Sequence, residues 1–484
     1  MDADVLVAGA GPTGLTLALD LARRGIRVRI VDKADRFSVG SRGDGLSPRT
    51  LEVFEDLGVI DEVVSAGMAA PVTRIYAGEQ VVWEGRMAEP VAPRADVPYP
   101  NVWFVPQWRT EEILRTRLAA HGVQVVLGAG VVGFEQDDGG VTARLESGEI
   151  VEAAYLVGAD GGRSTVRKQL AVPFVGETND DVSMLLADVR VDGLDHEFGH
   201  GWMLDGRTFF GFTPLAGADD YYVITTQASG IPPTLEGVQQ ALEAASGRTD
   251  LRLRELTWST IWRPNIRMVQ QFRVGRVFIA GDAAHVHPPS GGQGLNTGVQ
   301  DAYNLGWKLG AVLNGQSDEL LDSYQAERLP VAARVLGIST TLLEKHLAGA
   351  EDAFERGEET RQLDLSYRSG PLTLDDGSSC VVIAGDRAPD APCLDREGRR
   401  LRLFTCYTGP HWTLLRFGAT APALDRAGVQ SYCVGGDLVD VGRHIQDAYD
   451  VKDGAAVLIR PDGYIGAITS RPADLAAYAA RVMP

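Results

Sequence analysis

The chain opens on an apolar run, Val5-Leu6-Val7-Ala8, that stops at a glycine turn, the pattern of a strand buried on both faces. From Pro12 the period changes. Leu15, Leu17, Ala18, Leu21 and Ala22 supply one apolar helical face, and Gly25 ends it. A second run, Val28 to Val31, finishes at Asp32. The same grammar returns at Tyr155-Leu156-Val157, which enters Gly158-Ala159-Asp160-Gly161, and at Arg276 to Ala280, which enters Gly281-Asp282. After that third turn an amphipathic helix is predicted from about Thr297 to Leu313. Strands alternating with helices predict an α/β fold around a parallel sheet.

Between Ala66 and Tyr99, and from about Gly176 to Arg263, this grammar disappears. The second stretch predicts strands at Met184 to Val191, Arg207 to Pro214, Tyr221 to Ala228 and Leu251 to Ile261, with one helix near Leu235 to Ala245. Phe210 and Phe212 alternate with Phe209 and Gly211, so one sheet face is aromatic. Phe210 and Phe212 are candidates for substrate lining, with core packing as the competing reading. A long helix is predicted over 317–346, then a charged linker over 351–382. From 383 to 484 strands are expected at Leu401 to Thr405, Trp412 to Phe417, Ser431 to Val434 and Ala456 to Ile459, with a turn at Pro461-Asp462-Gly463 leading into another.

The first turn carries candidate chemistry. Gly9, Gly11 and Gly14 form GxGxxG: the first for the tight turn, the second for close approach of a pyrophosphate, the third for helix–strand packing. Pro12 sits early in the helix, where its missing N–H costs nothing. Asp32, at the end of the second strand, is placed to accept from a ribose 2′-hydroxyl. These residues predict a dinucleotide site, with NAD and FAD both open on this segment alone. The Asp160-Gly161 turn precedes a cationic stretch with Arg163, Arg167 and Lys168. The loop from Pro288 to Asn296 enters a helix and presents free N–H groups at a positive dipole end, suited to a ring carbonyl or a phosphate. Asp282 is placed for a sugar-alcohol hydroxyl.

At 484 residues the chain predicts two or three domains. Lys plus Arg total 46 against 65 Asp plus Glu, a net charge of −19, which argues against nucleic acid and anionic membrane as partners. No basic leader or long apolar run is present, so a soluble, cytoplasmic protein is expected. Cys380, Cys393, Cys406 and Cys433 include no CxxC pair and read as plain thiols. His285 and His287 read as loop packing, and no metal site is expected.

The three segments together resemble those of the FAD-dependent aromatic hydroxylases, single-component flavoprotein monooxygenases that include phenol hydroxylase and aromatic polyketide hydroxylases. The likeness rests on Gly9, Gly11, Gly14 and Asp32, on Asp160-Gly161 with Arg163, and on Gly281-Asp282 with Pro289 and Gly294 to Asn296, and it covers roughly residues 1–345. It implies a Rossmann-like FAD-binding domain in two parts, 1–175 and 264–350, with an inserted mixed β-sheet substrate domain over 176–263 and residues 66–105 partly shared with it. It also implies a thioredoxin-like C-terminal domain over 383–484, redox-silent without CxxC, whose expected role is support or formation of a homodimer.

The implied cofactor contacts are Gly9, Gly11, Pro12, Thr13, Gly14, Asp32, Lys33, Arg42, Gln107, Asp160, Gly161, Arg163, Gly281, Asp282, Pro289, Gly292, Gly294, Leu295 and Asn296. Arg42 and Pro289 are also carried over as catalytic positions, Pro289 shaping the oxygen side of the ring. The implied reaction reduces FAD with NADPH or NADH, adds dioxygen, and passes one oxygen from a flavin hydroperoxide to a phenolic or polycyclic aromatic substrate. No strong protein acid or base is evident in the sequence. Baeyer–Villiger or antibiotic-inactivating oxygenation on the same scaffold is the alternative outcome; a non-catalytic flavin-binding protein is the alternative class. A flavin halogenase is disfavoured, because Trp258 to Pro264 reads WSTIWRP rather than WxWxIP.

Overall fold

The first apolar run forms the strand Ala3–Ala8, and the helical face that follows forms the helix Pro12–Arg23. The computed structural model describes residues 1–484 except 42, 87, 179–181, 205–207, 226–229, 264, 289–291 and 349–356, together with the side chains of 204 and 346–348. Strand Ala3–Ala8 lies centrally in a sheet. It pairs in parallel with Val28–Val31 on one side and with Ile150–Gly158 on the other, and Ile150–Gly158 pairs in parallel with Val277–Ile279. The chain therefore reverses its strand order at Ala3–Ala8. Ligands of doubly wound sheets sit in the crevice outside such a reversal.

Helix Pro12–Arg23 packs on helix Gln293–Leu313, which begins four residues earlier than its apolar pattern suggests. Glycines set how closely they cross. A Cβ at Gly298 would lie 2.3 Å from Thr13 Oγ1, and one at Gly306 would lie 2.3 Å from Asp20 Oδ2. Thr13 also abuts Gly281, so the first and third glycine segments, far apart in sequence, are in contact.

A second sheet of seven strands runs in the order Arg252–Trp262, Met184–Asp192, Asp220–Thr225, Thr208–Pro214, Phe198–Leu204, Val72–Ala77, Gln80–Gly85. Four of these match the predicted strands, although 207 and 226–228 lie outside the described residues. Helix Leu235–Ser246 covers one face. Strand Phe198–Leu204 was not predicted. Its Gly199 and Gly201 break the apolar alternation; at Gly201 a Cβ would meet the Phe209 ring at 2.5 Å, so the gap in the pattern is where a neighbouring side chain fits.

The predicted helix over 317–346 is a 3₁₀ turn, Asp318–Leu321, followed by the helix Asp322–Ala348. The C-terminal unit has a five-stranded, thioredoxin-like sheet in the order Leu374–Asp375, Ile465–Thr469, Ala456–Ile459, Trp412–Phe417, Val429–Val434. The strand expected at Leu401 to Thr405 is instead a short strand, Arg400–Arg402, running into the helix Leu403–Tyr407. The four cysteines are free, and burial pushes the Cys393 and Cys406 thiols up to about 12 and about 11.

This unit is welded to the first. Trp412, Leu414, Leu458 and Tyr478 share one core with Trp307, Ala311 and Leu320. Beside that core is a fully buried charge network. Glu327 pairs with Lys308 at 2.7 Å and with Arg460 at 2.6 Å, and Arg460 pairs with Asp462 at 2.5 Å. Asp462 also accepts from Trp307 Nε1 at 2.9 Å. Burial alone would raise the Glu327 carboxyl, but Arg460 and Lys308 hold it down at about 2.

Candidate functional site

The three glycine turns meet at the C-terminal ends of the parallel strands. Gly9 has φ +105°, and a Cβ there would lie 2.2 Å from Ala159 O; a Cβ on Gly14 would lie 2.0 Å from Gly9 O. Neither position has room for a side chain. A Cβ on Gly11, by contrast, meets nothing within 4 Å. Asp32 braces the turn: Oδ2 accepts from Ala10 N at 2.7 Å and Oδ1 from Ala34 N at 2.8 Å.

These turns border a cavity of about 1500 Å³, half as large again as the upper end of the roughly 300–1,000 Å³ common for single small ligands. Of the sequence-derived candidates, Gly11, Pro12, Thr13, Gln107, Gly161, Arg163, Asp282, Gly292, Gly294, Leu295 and Asn296 line it. Gly9, Gly14 and Gly281 shape its turns without lining it, and Lys33 is exposed away from the lining. Arg42 and Pro289 lie outside the described residues. Asp160 lies behind the lining and caps a helix. Its Oδ2 accepts from Thr165 N at 2.7 Å and Val166 N at 3.2 Å, capping the helix Thr165–Gln169, while Oδ1 is buried with no partner among the described residues.

The helix Gln293–Leu313 starts at the cavity. Its N-cap, Gly292, is left-handed and has no side chain to cap the helix, so among the described residues the amides of Gly294 and Leu295 are left for a ligand. Asn296 ties this start to the loop before helix Pro48–Asp56: Oδ1 accepts from Ser47 N at 2.8 Å and Nδ2 donates to Gly45 O at 2.9 Å. Behind it, buried Asp301 accepts from Gly281 N at 3.0 Å, pairs with His285 Nε2 at 2.6 Å and with Arg328 Nε at 2.7 Å. Asp301 thus fixes the turn that carries Asp282. Nothing local in the sequence marks it. An open phosphate-sized approach at Gly11 and a helix start whose N-cap, Gly292, has no capping side chain are the donor set an extended dinucleotide needs, so the residues present fit FAD.

The seven-stranded sheet roofs the cavity, and of the two expected aromatic residues only Phe212 reaches it. Phe210 and Phe212 are 2% and 1% exposed and pack with Trp202, Tyr221, Val238 and Leu242 under helix Leu235–Ser246. Phe210 does not line the cavity, Phe212 belongs to both core and wall, and Phe209 on the opposite face is the lining aromatic. The correction follows from strand alternation: the face that reads as aromatic is the one the helix covers. Trp83, Trp103, Tyr222, Trp258 and Trp262 complete an aromatic wall.

Two carboxyls missed in the sequence lie here, Asp44 at the wall and Asp188 buried behind it. Burial pushes Asp44, which lines the cavity, up to about 6 against hydrogen bonds from its own and the Gly45 amide. Burial likewise pushes Asp188 up to about 7; its Oδ2 accepts from Ser41 N at 2.6 Å, and nearby Asp44 and Asp220 add to the rise. Burial and these two carboxyls raise the Tyr222 phenol. His287 also lines the cavity, its ring neutral because burial lowers it to about 4, and its Nε2 has no partner among the described residues.

The chain matches known proteins along almost its whole length. Residues 2–339 match the family model described as FAD binding domain, and residues 382–483 match aromatic-ring hydroxylase, C-terminal. A flavin-dependent monooxygenase of Mycobacteroides abscessus is 48% identical over 493 residues, covering 99% of this chain and 100% of the relative. A rifampicin monooxygenase of Streptomyces venezuelae is 35% identical, covering 96% and 94%. Among solved structures, a ternary complex of aklavinone-11 hydroxylase with FAD and aklavinone superposes with a TM-score of 0.85 at 28% identity, covering 100% of this chain and 99% of that one.

Proposed function

The chain belongs to the FAD-dependent aromatic-ring hydroxylases and is an FAD-dependent monooxygenase, and on that premise we propose that it hydroxylates a phenolic or polycyclic aromatic substrate with NADPH or NADH and dioxygen. The observation that carries the reading is a cavity in which the three glycine turns meet an aromatic wall. Bound FAD would supply the chemistry side chains lack, taking a hydride from the nicotinamide and activating dioxygen.

The chain's own residues bind, orient and screen. Gly11 and its neighbouring amides would hold the pyrophosphate, Asp282 at the cavity wall a sugar hydroxyl, and the amides of Gly292 to Asn296 would stabilise negative charge on the ring; Asp32, which braces the first turn, would take a ribose hydroxyl on its remaining lone pairs. The volume of about 1500 Å³ leaves space beside a dinucleotide for several fused rings. Phe209, Trp258 and Trp262 would stack on such a substrate and keep water from the reacting atoms. Asp44 would accept the substrate's phenolic proton at a carboxylate oxygen, making the ring more electron-rich; a group near pH 6 is matched to that task at neutral pH.

A second reading, oxygenation of a large antibiotic, is supported by the likeness to a rifampicin monooxygenase. Both are tested by following NAD(P)H oxidation by the purified yellow protein with and without phenolic compounds, and by product mass under ¹⁸O₂. Substrate-stimulated oxidation with one labelled oxygen in the product is expected. A protein that binds FAD yet oxidises neither nucleotide under any of these conditions is a binder, and the proposal fails.

A further inference from the structure

The connection from helix Asp322–Ala348 to the C-terminal sheet enters the site. Thr360 and Arg361 line the cavity, and the next residue, Gln362, is 1% exposed. Its backbone is left-handed, φ 60°, a conformation that a residue with a side chain keeps only where its surroundings impose it. Those surroundings are specific. Oε1 accepts from Ser47 Oγ at 3.0 Å and from Gln300 Nε2 at 2.6 Å, while Nε2 donates to Gln293 Oε1 at 2.5 Å and to Thr297 Oγ1 at 3.4 Å. All four hydrogen-bonding positions of the carboxamide are used, two as acceptor and two as donor. No carboxylate or hydrocarbon of that size could make the same set.

The partners share one purpose. Gln293, Thr297 and Gln300 form one stripe along helix Gln293–Leu313, starting at its first residue, and Ser47 is the N-cap of helix Pro48–Asp56. Gln293 Nε2 returns a bond to Thr360 O at 3.1 Å. The linker is thereby bolted to the starts of both helices, behind the amides of Gly292 to Asn296.

We propose that Gln362 is a positioning residue for the flavin: it holds the first turns of helix Gln293–Leu313 so that their amides face the cofactor. The inference rests on the cofactor reading of that helix start given above. It makes the linker, and through it the C-terminal unit, part of the flavin site.

The test compares FAD affinity, the visible spectrum of bound FAD and the melting temperature of the flavin-free full chain. Gln362→Gly suits the left-handed backbone and deletes the amide; Gln300→Leu removes one donor to Gln362 without touching the linker or the cavity lining. Gln362→Gly is expected to lower the melting temperature of the flavin-free chain, weaken FAD binding by about tenfold or more, and shift the visible band of the flavin that stays bound, a shift that lost stability alone would not produce. Gln300→Leu is expected to act in the same direction by about threefold, and it carries the test if the glycine variant does not fold. Binding within about twofold of the unaltered protein, with superimposable spectra, in the variants that fold would overturn the proposal. Failure of the unaltered protein to bind FAD would instead overturn the cofactor reading itself.

Discussion

Gly11→Ala and Gly14→Ala, three positions apart, should fail in different ways. At Gly14 the new methyl carbon would sit 2.0 Å from Gly9 O, where ordinary contact begins at 3.4 Å, and the obstacle is backbone. The helix must move off the strand. Overpacking of this kind costs about 1–3 kcal/mol, and the upper end applies because nothing flexible can yield; alanine returns about 1 kcal/mol of helix propensity. The net loss of about 2 kcal/mol lowers the melting temperature by about 4–8 °C for a domain of 150–250 residues.

At Gly11 the backbone is φ −75°, ψ −177°, extended and open to any residue, and its Cβ would meet nothing. Losing glycine at the N-cap and stiffening the unfolded chain each change stability by under about 1 kcal/mol in opposite senses, so melting of the flavin-free protein stays within about 2 °C. The methyl group would, however, occupy the approach to the proposed phosphate site. Loss of two charge-assisted hydrogen bonds, about 1.5–3 kcal/mol each, predicts at least about a hundredfold weaker FAD binding. Melting of the flavin-free proteins and FAD titration by fluorescence quenching read the two effects separately. The reasoning is refuted if Gly11→Ala binds FAD within about threefold of the unaltered protein, or loses as much stability as Gly14→Ala.

Three further outcomes are expected. With a phenolic substrate, kcat/KM should rise about tenfold per pH unit up to pH 6, where Asp44 titrates, then level; Asp44→Asn should remove that acidic limb, and an unchanged profile would clear Asp44 of the proton role. Phe209→Ala should raise KM with little change in melting, whereas Phe210→Ala should cost about 3–5 kcal/mol in denaturant titration, because only the second empties a core. Glu327, held at about 2 against an ordinary 4.5, contributes stability that is complete above pH 4.5 and is lost as pH falls toward 2. Glu327→Gln should therefore lower stability by about 3–5 kcal/mol at pH 7 and flatten this acid loss, measured by denaturant midpoints across pH.

Much of the scaffold was legible because the signals are local. The run Val5 to Ala8, the spacing of Gly9, Gly11 and Gly14, and Asp32 at the end of the next strand obey constraints that act over a few residues. Where a neighbour far along the chain decides, the reading failed. Phe210, on the aromatic face of Thr208–Pro214, is claimed by helix Leu235–Ser246 rather than by the cavity, and Asp301 is tied to Arg328 and His285 on other elements.

The amino-acid order alone thus determined the dinucleotide turns and the sheet they serve, since strand period, glycine geometry and helix dipole are properties of short segments. Only the folded chain decided which groups share a dielectric environment. Asp44 and Asp188 become proton-accepting near neutrality, Asp301 locks the Gly281 turn, and Gln362 reaches helix Gln293–Leu313, because burial and hydrogen bonding join residues up to 315 positions apart. Charge and solvation depend on what surrounds an atom in three dimensions, and no periodicity along one strand or helix records that.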